Sequence, residues 1–181
     1  MKPGGAGNDR SAQYPVAGEE YRAIILGRKL VVLPEDNISL TSPVKPKKVK
    51  KYIKSSSVPL SDFSKFMTSL ASRFHGSLSS IKSSVLKQLT LPVVVPQSVD
   101  LPEFPDHEAG VVVVVNHKNW HGVILAREIK NELSGLQNFK KGKNGDILGT
   151  GTFETQDAYV MDVVSLLNRE GFLTMIDEPD W

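Results

Sequence analysis

The chain contains no cysteine, which removes disulfides, thiolate zinc sites and cysteine nucleophiles and fits an intracellular life. Long apolar runs are missing too. The longest, Ala23 to Leu26, Leu30 to Leu33 and Val111 to Val115, fall far short of the roughly 20 residues that cross a bilayer as a helix. The stretch MKPGGAGNDRSAQYPVAGEE lacks the apolar core of a secretory signal. The expectation is an intracellular protein, neither secreted nor transmembrane, with the nucleus as one destination. Hydroxyls, imidazoles and carboxylates fall into no triad order, and neither a P-loop nor a GxGxxG turn is present.

What is there suits one core. With 181 residues, 40% hydrophobic and 23% charged, the chain can bury a core of roughly 100 residues, leaving the remainder as arm and linker. The net charge of +2 conceals a division. Residues 1 to 91 carry 15 Lys/Arg against 6 Asp/Glu, or +9, whereas residues 92 to 181 carry 7 against 14, or −7. The two halves therefore attract different partners, one of which is the other half.

Residues 1–20 are too polar and glycine-rich to repay the entropy of ordering and read as a flexible arm. Residues 21–33 hold two aliphatic runs around Gly27-Arg28, a pattern that predicts a β-hairpin. Residues 34–60 alternate Pro, Ser, Asn and Lys, and the prolines at 34, 43, 46 and 59 predict a linker. Residues 61–90 place Phe63, Met67, Leu70, Phe74, Leu78, Ile81, Val85 and Leu89 three and four apart, predicting an amphipathic Ser-rich helix or helix pair with Ser61 as cap and Asp62 in its first turn. Residues 91–108, with four prolines, predict an extended connector.

Residues 109–181 predict a compact α+β domain with an acidic tail, DEPDW. The valine run suits a strand covered on both faces. Trp120 to Leu133 reads as a helix on the spacing of Val123, Ile124, Ile129 and Leu133, and Asn144-Gly145 as a hairpin turn between two strands. Thr155 to Asn168 reads as a second helix with Gly171 at C′, followed by a last strand at Phe172 to Ile176. The order β-α-β-β-α-β is the split, ferredoxin-like arrangement. RNA-recognition modules place stacking aromatics on its strands; here only Phe153 meets that pattern.

The densest feature is PVKPKKVKKYIK, residues 43–54, with six lysines at 45, 47, 48, 50, 51 and 54. Ammonium groups at this density cannot enter a core, so they face solvent and draw an anionic partner. Pro46-Lys47-Lys48-Val49-Lys50-Lys51 resembles a monopartite nuclear import signal, in which proline keeps the backbone extended for a receptor groove. Phosphate contact, attraction to anionic lipid and inert solubilisation compete with that reading.

His117 and His121 flank Trp120 and could share a metal with His107 or Glu108, yet HExxH is absent, and loop histidines beside tryptophan are usually hydrogen-bonded surface residues. No metal or cofactor is expected. Gly149-Thr150-Gly151-Thr152 could cradle an anion ahead of a helix, although a strand with glycine spacing is the simpler reading.

Together these features predict a small non-enzymatic binding protein. Lys45, Lys47, Lys48, Lys50, Lys51 and Lys54 would meet nucleic acid or an import receptor, while the acidic domain binds protein or itself. The alternative is a virion structural protein of matrix or capsid-associated type. Its polybasic linker and the face Phe63, Phe66, Met67, Leu70 and Phe74 would meet nucleocapsid or membrane. An enzyme using His117, His121 or the glycine turn is a third reading with no other support.

Overall fold

The computed structural model describes residues 19–59, 61–63, 90–101, 107–118 and 120–173. Strand β1 (Tyr21–Leu26) turns into β2 (Lys29–Pro34) through Gly27, whose φ of 64° suits the first central position of a tight hairpin. A 3-10 turn, Glu35–Asn37, leads into β3 (Ile38–Pro43), helix α1 (Pro46–Ser55) and β4 (Ser57–Pro59). Further along come β5 (Thr90–Pro92), β6 (Val111–His117), β7 (Trp120–Ala126), β8 (Glu128–Ser134) and β9 (Leu136–Asn144). Strands β10 (Ile147–Phe153) and β11 (Gln156–Met161), helix α2 (Val163–Glu170) and β12 (Phe172–Leu173) follow.

Six strands pair in the order β8-β1-β2-β11-β10-β9, with only β2 and β11 parallel. Its two edges are consecutive in the chain, separated by Gly135 alone. A flat sheet of this size would hold its edges about 24 Å apart, whereas one intervening residue spans at most about 7 Å. The sheet therefore closes on itself as a barrel. Residues 128–144 act as one bent strand that pairs with β1 by its first half and with β10 by its second. Tyr21, Ala23, Val32, Leu148, Phe153, Ala158 and Val160 are buried together inside it.

A second sheet, β12-β7-β6-β3, is antiparallel throughout. All five valines of β6 are buried, and the pleat divides them. Val111, Val113 and Val115 join Ile24, Leu26, Val31, Leu33, Met161 and the α2 residues Val163, Leu166 and Leu167. Val112 and Val114 join Val49 and Tyr52 of α1, with Val58, Phe63 and Leu91. The layers thus run barrel, second sheet, α1.

This architecture overturns the ferredoxin-like α+β expectation. Strands make up 56% of the described residues and helices 20%. Residues 120–133 form β7 and β8, not a helix, because β7 is buried on both faces and its apolar run has no alternation to set it apart from a helix. Residues 155–168 divide into β11 and α2, where Asp162 caps the helix by accepting from the Ser165 N–H at 3.0 Å. Gly171 has φ −76°, so it is not a left-handed C′ residue. A Cβ there would lie 2.6 Å from the Leu167 carbonyl oxygen, and that close approach is what favours glycine.

The basic linker expected at 34–60 is instead β3, α1 and β4. Pro46 occupies the first turn of α1, where its missing N–H costs nothing and its fixed φ suits the helix. Most of the Ser-rich helix expected at 61–90, nearly all of the amino-terminal arm and the DEPDW tail lie outside the described residues.

Candidate anion-binding helix

Helix α1 turns the lysine block into a surface with fixed geometry. Lys45, in extended conformation at ψ 154°, precedes Pro46 as the residue before a proline must, and the helix starts there. Val49 is fully buried and Tyr52 is 4% exposed, so one side of the helix is anchored in the core under the second sheet. The spacing of Lys47, Lys50, Lys51 and Lys54, i, i+3, i+4 and i+7, then sets these four on one face, opposite the anchors and exposed. Along the axis that face is about 10 Å long.

Lys48 lies to one side and is partly neutralised. Its Nζ is 3.3 Å from Asp62 Oδ2, the oxygen that accepts the Tyr52 hydroxyl at 2.5 Å. Burial, reinforced by that hydrogen bond, pushes the Tyr52 phenol well above the usual tyrosine range. Among the described residues none of Lys45, Lys47, Lys50, Lys51 and Lys54 has a carboxylate partner. Lysines spaced three and four apart repel one another, and those near the amino end of α1 also oppose its dipole. The fold tolerates this repulsion without using it, and an anion against the face would relieve it.

The other sequence candidates separate. Phe63 is 3% exposed and packs beneath α1, so its ring is already engaged by the chain's own core. Phe66, Met67, Leu70 and Phe74 lie outside the described residues. His121 pairs across the β6–β7 ribbon with Asn116, and His117 with Trp120. The pleat therefore sends the two imidazoles to opposite faces, where they cannot share an ion. No group of three His, Asp or Glu suited to a metal occurs among the described residues. Gly149 to Thr152 lie within β10, and another strand follows them, not a helix.

Sequence reasoning missed the anchoring role of Asp62, which reads locally as a helix first-turn acid. It also missed the four cations Arg28, Lys29, Lys130 and Lys140, which gather around one cleft from distant parts of the chain; no local pattern joins them. Among the described residues no helix is long and apolar enough to cross a membrane. No protein-family model matches the chain and no curated protein is detectably similar to it, so a functional reading rests on these residues alone.

Proposed function

We propose that this protein is a non-enzymatic nucleic-acid-binding protein that meets the phosphate backbone with the lysine face of α1. The observation that carries the reading is the uncompensated, exposed array Lys47, Lys50, Lys51 and Lys54 on a helix pinned by Val49 and Tyr52. Each strand of duplex DNA carries one phosphate per about 3.4 Å of axis, so a face about 10 Å long meets about three from each strand that it borders. The same block serves an import receptor less well. Receptor grooves take such peptides extended, and extension here would pull Val49 and Tyr52 out of the core. Phosphates need no such rearrangement.

Fluorescence anisotropy with a labelled duplex at about 50 and 200 mM salt tests the reading. Four phosphate contacts predict an affinity loss of about 150-fold across that range. The combined variant Lys47→Gln, Lys50→Gln, Lys51→Gln, Lys54→Gln should lose both the tight binding and the salt slope. Equal binding by variant and parent would sink the proposal. Salt-sensitive association with anionic vesicles in place of nucleic acid would shift the partner to a membrane surface.

A further inference from the structure

A cleft of about 740 Å³ opens beside the β1–β2 turn, at one end of the barrel. It lies across the second sheet from α1, because one apolar cluster separates barrel from sheet and another separates sheet from helix. Four cations line it, Arg28, Lys29, Lys130 and Lys140, against one carboxylate, Asp157. Lys130 is partly engaged by Glu128 at 3.1 Å, whereas Arg28 and Lys140 have no carboxylate partner among the described residues. They come from the β1–β2 turn, β2, β8 and β9, and barrel closure brings β8 and β9 to the same cleft.

The cleft floor is not merely charged. Tyr159, Thr150 and Lys140 are cross-strand neighbours on β11, β10 and β9, so an aromatic ring, a hydroxyl and an ammonium lie in one row. The Lys29 Nζ lies 5.8 Å from the centre of the Tyr159 ring. That contact holds a cation over the ring, where it can also reach the phosphate of a ligand set at the ring's exposed edge. The volume falls within the range of small-ligand sites, and a concave site with a few convergent polar groups is a recurrent setting for one.

We propose that this cleft binds a nucleotide, its phosphate held by Arg28 and Lys140 and its base set against Tyr159. A bare anion would use the cations and the Thr150 hydroxyl but make no use of the exposed part of the Tyr159 ring. An apolar ligand would leave three net positive charges facing it. A phosphate ester bearing a planar, hydrogen-bonding ring matches both parts. The nucleotide could be free or one unit of a single strand, since base stacking on an aromatic side chain serves both. The inference does not depend on α1, and different residues test it.

The experiment titrates the full chain with a free nucleoside monophosphate by calorimetry and with a labelled single-stranded oligonucleotide by anisotropy. The parent is compared with Arg28→Gln/Lys140→Gln, with Thr150→Glu, and with the four-lysine variant of α1. Arg28, Lys140 and Thr150 are exposed, so these changes leave the core intact. The expected result is a loss of about tenfold or more in both cleft variants, with the α1 variant unchanged for the mononucleotide. A mononucleotide effect identifies a free ligand; an effect on the oligonucleotide alone identifies a strand. If neither probe binds, if the cleft variants bind both as the parent does, or if inorganic phosphate competes as well as the mononucleotide, the nucleotide site is overturned.

Discussion

The Tyr52 hydroxyl donates to Asp62 Oδ2 at 2.5 Å, and Lys48 reaches the same oxygen at 3.3 Å. One carboxylate thus ties down both the buried anchor of α1 and one of its lysines. The rest of the lysine face keeps its charge for a partner.

That pairing makes stability depend on pH at the alkaline end. Burial and the hydrogen bond to Asp62 raise the Tyr52 pKa, so the folded state holds this proton more tightly than the unfolded chain. Its contribution is fully present below about pH 10, the unfolded tyrosine value, and is lost as pH rises toward the folded value. Thermal melts at rising alkaline pH should show the parent falling more steeply than Tyr52→Phe. At neutral pH the variant should be less stable by about 1 kcal/mol. Parallel pH profiles for the two proteins would refute the linkage.

The lysine face should weaken the isolated fold. Four pairs at i, i+3 or i, i+4 among Lys47, Lys50, Lys51 and Lys54 contribute repulsion totalling roughly 1 kcal/mol at low salt. The four-glutamine variant should therefore melt about 2 to 4 °C higher than the parent in dilute buffer. The difference should vanish near 1 M salt, where screening is nearly complete.

Asp146 should be among the most costly polar residues to remove. Its carboxylate, 3% exposed, accepts from the Gln97 N–H at 2.9 Å, from Ser165 Oγ at 3.0 Å and from Arg169. It ties the β9–β10 turn, the extended segment after β5 and α2 together. Asp146→Ala leaves these donors unmatched and should cost about 3 kcal/mol in chemical denaturation. A cost near zero would show that water replaces the carboxylate.

Gly149 tests the close approach of β9 to β10. A Cβ there would stand 2.1 Å from the Lys140 carbonyl oxygen on β9, which is backbone and cannot swing away. Gly149→Ala should push β9 off β10, lower stability by about 2 kcal/mol and speed amide exchange along both strands. Unchanged exchange in β9 would count against that close approach of the two strands.

The β10–β11 turn carries strain at the rim of the proposed cleft. Glu154 and Thr155 both have positive φ, 51° and 68°, a conformation that asparagine and glycine adopt far more readily. The double change Glu154→Asn, Thr155→Gly should raise stability by about 1 kcal/mol or more in chemical denaturation. A loss of stability would show that the native side chains make contacts outweighing the strain.

Local chemistry determined several features of this protein from the sequence. Residues 111–115 are β-branched throughout and had to form a strand covered on both sides. Glycine at 27 and 145 marked turns because positive φ is cheap there, and six clustered ammonium groups had to remain in solvent. Tertiary structure decided the rest. Residues 120–126 suit helix or strand by periodicity alone, and pairing with the valine strand selects the strand. Pro46 breaks a chain or begins a helix according to whether Val49 and Tyr52 find a core to enter, and the second sheet supplies it. The parallel pairing of β2 with β11 and the pairing of residues 128–134 with β1 join segments more than a hundred residues apart, and the continuation of that strand to β10 closes the barrel. Only that closure gathers Arg28, Lys29, Lys130 and Lys140 around one cleft, because burial of the barrel interior depends on contacts that no local stretch of the chain encodes.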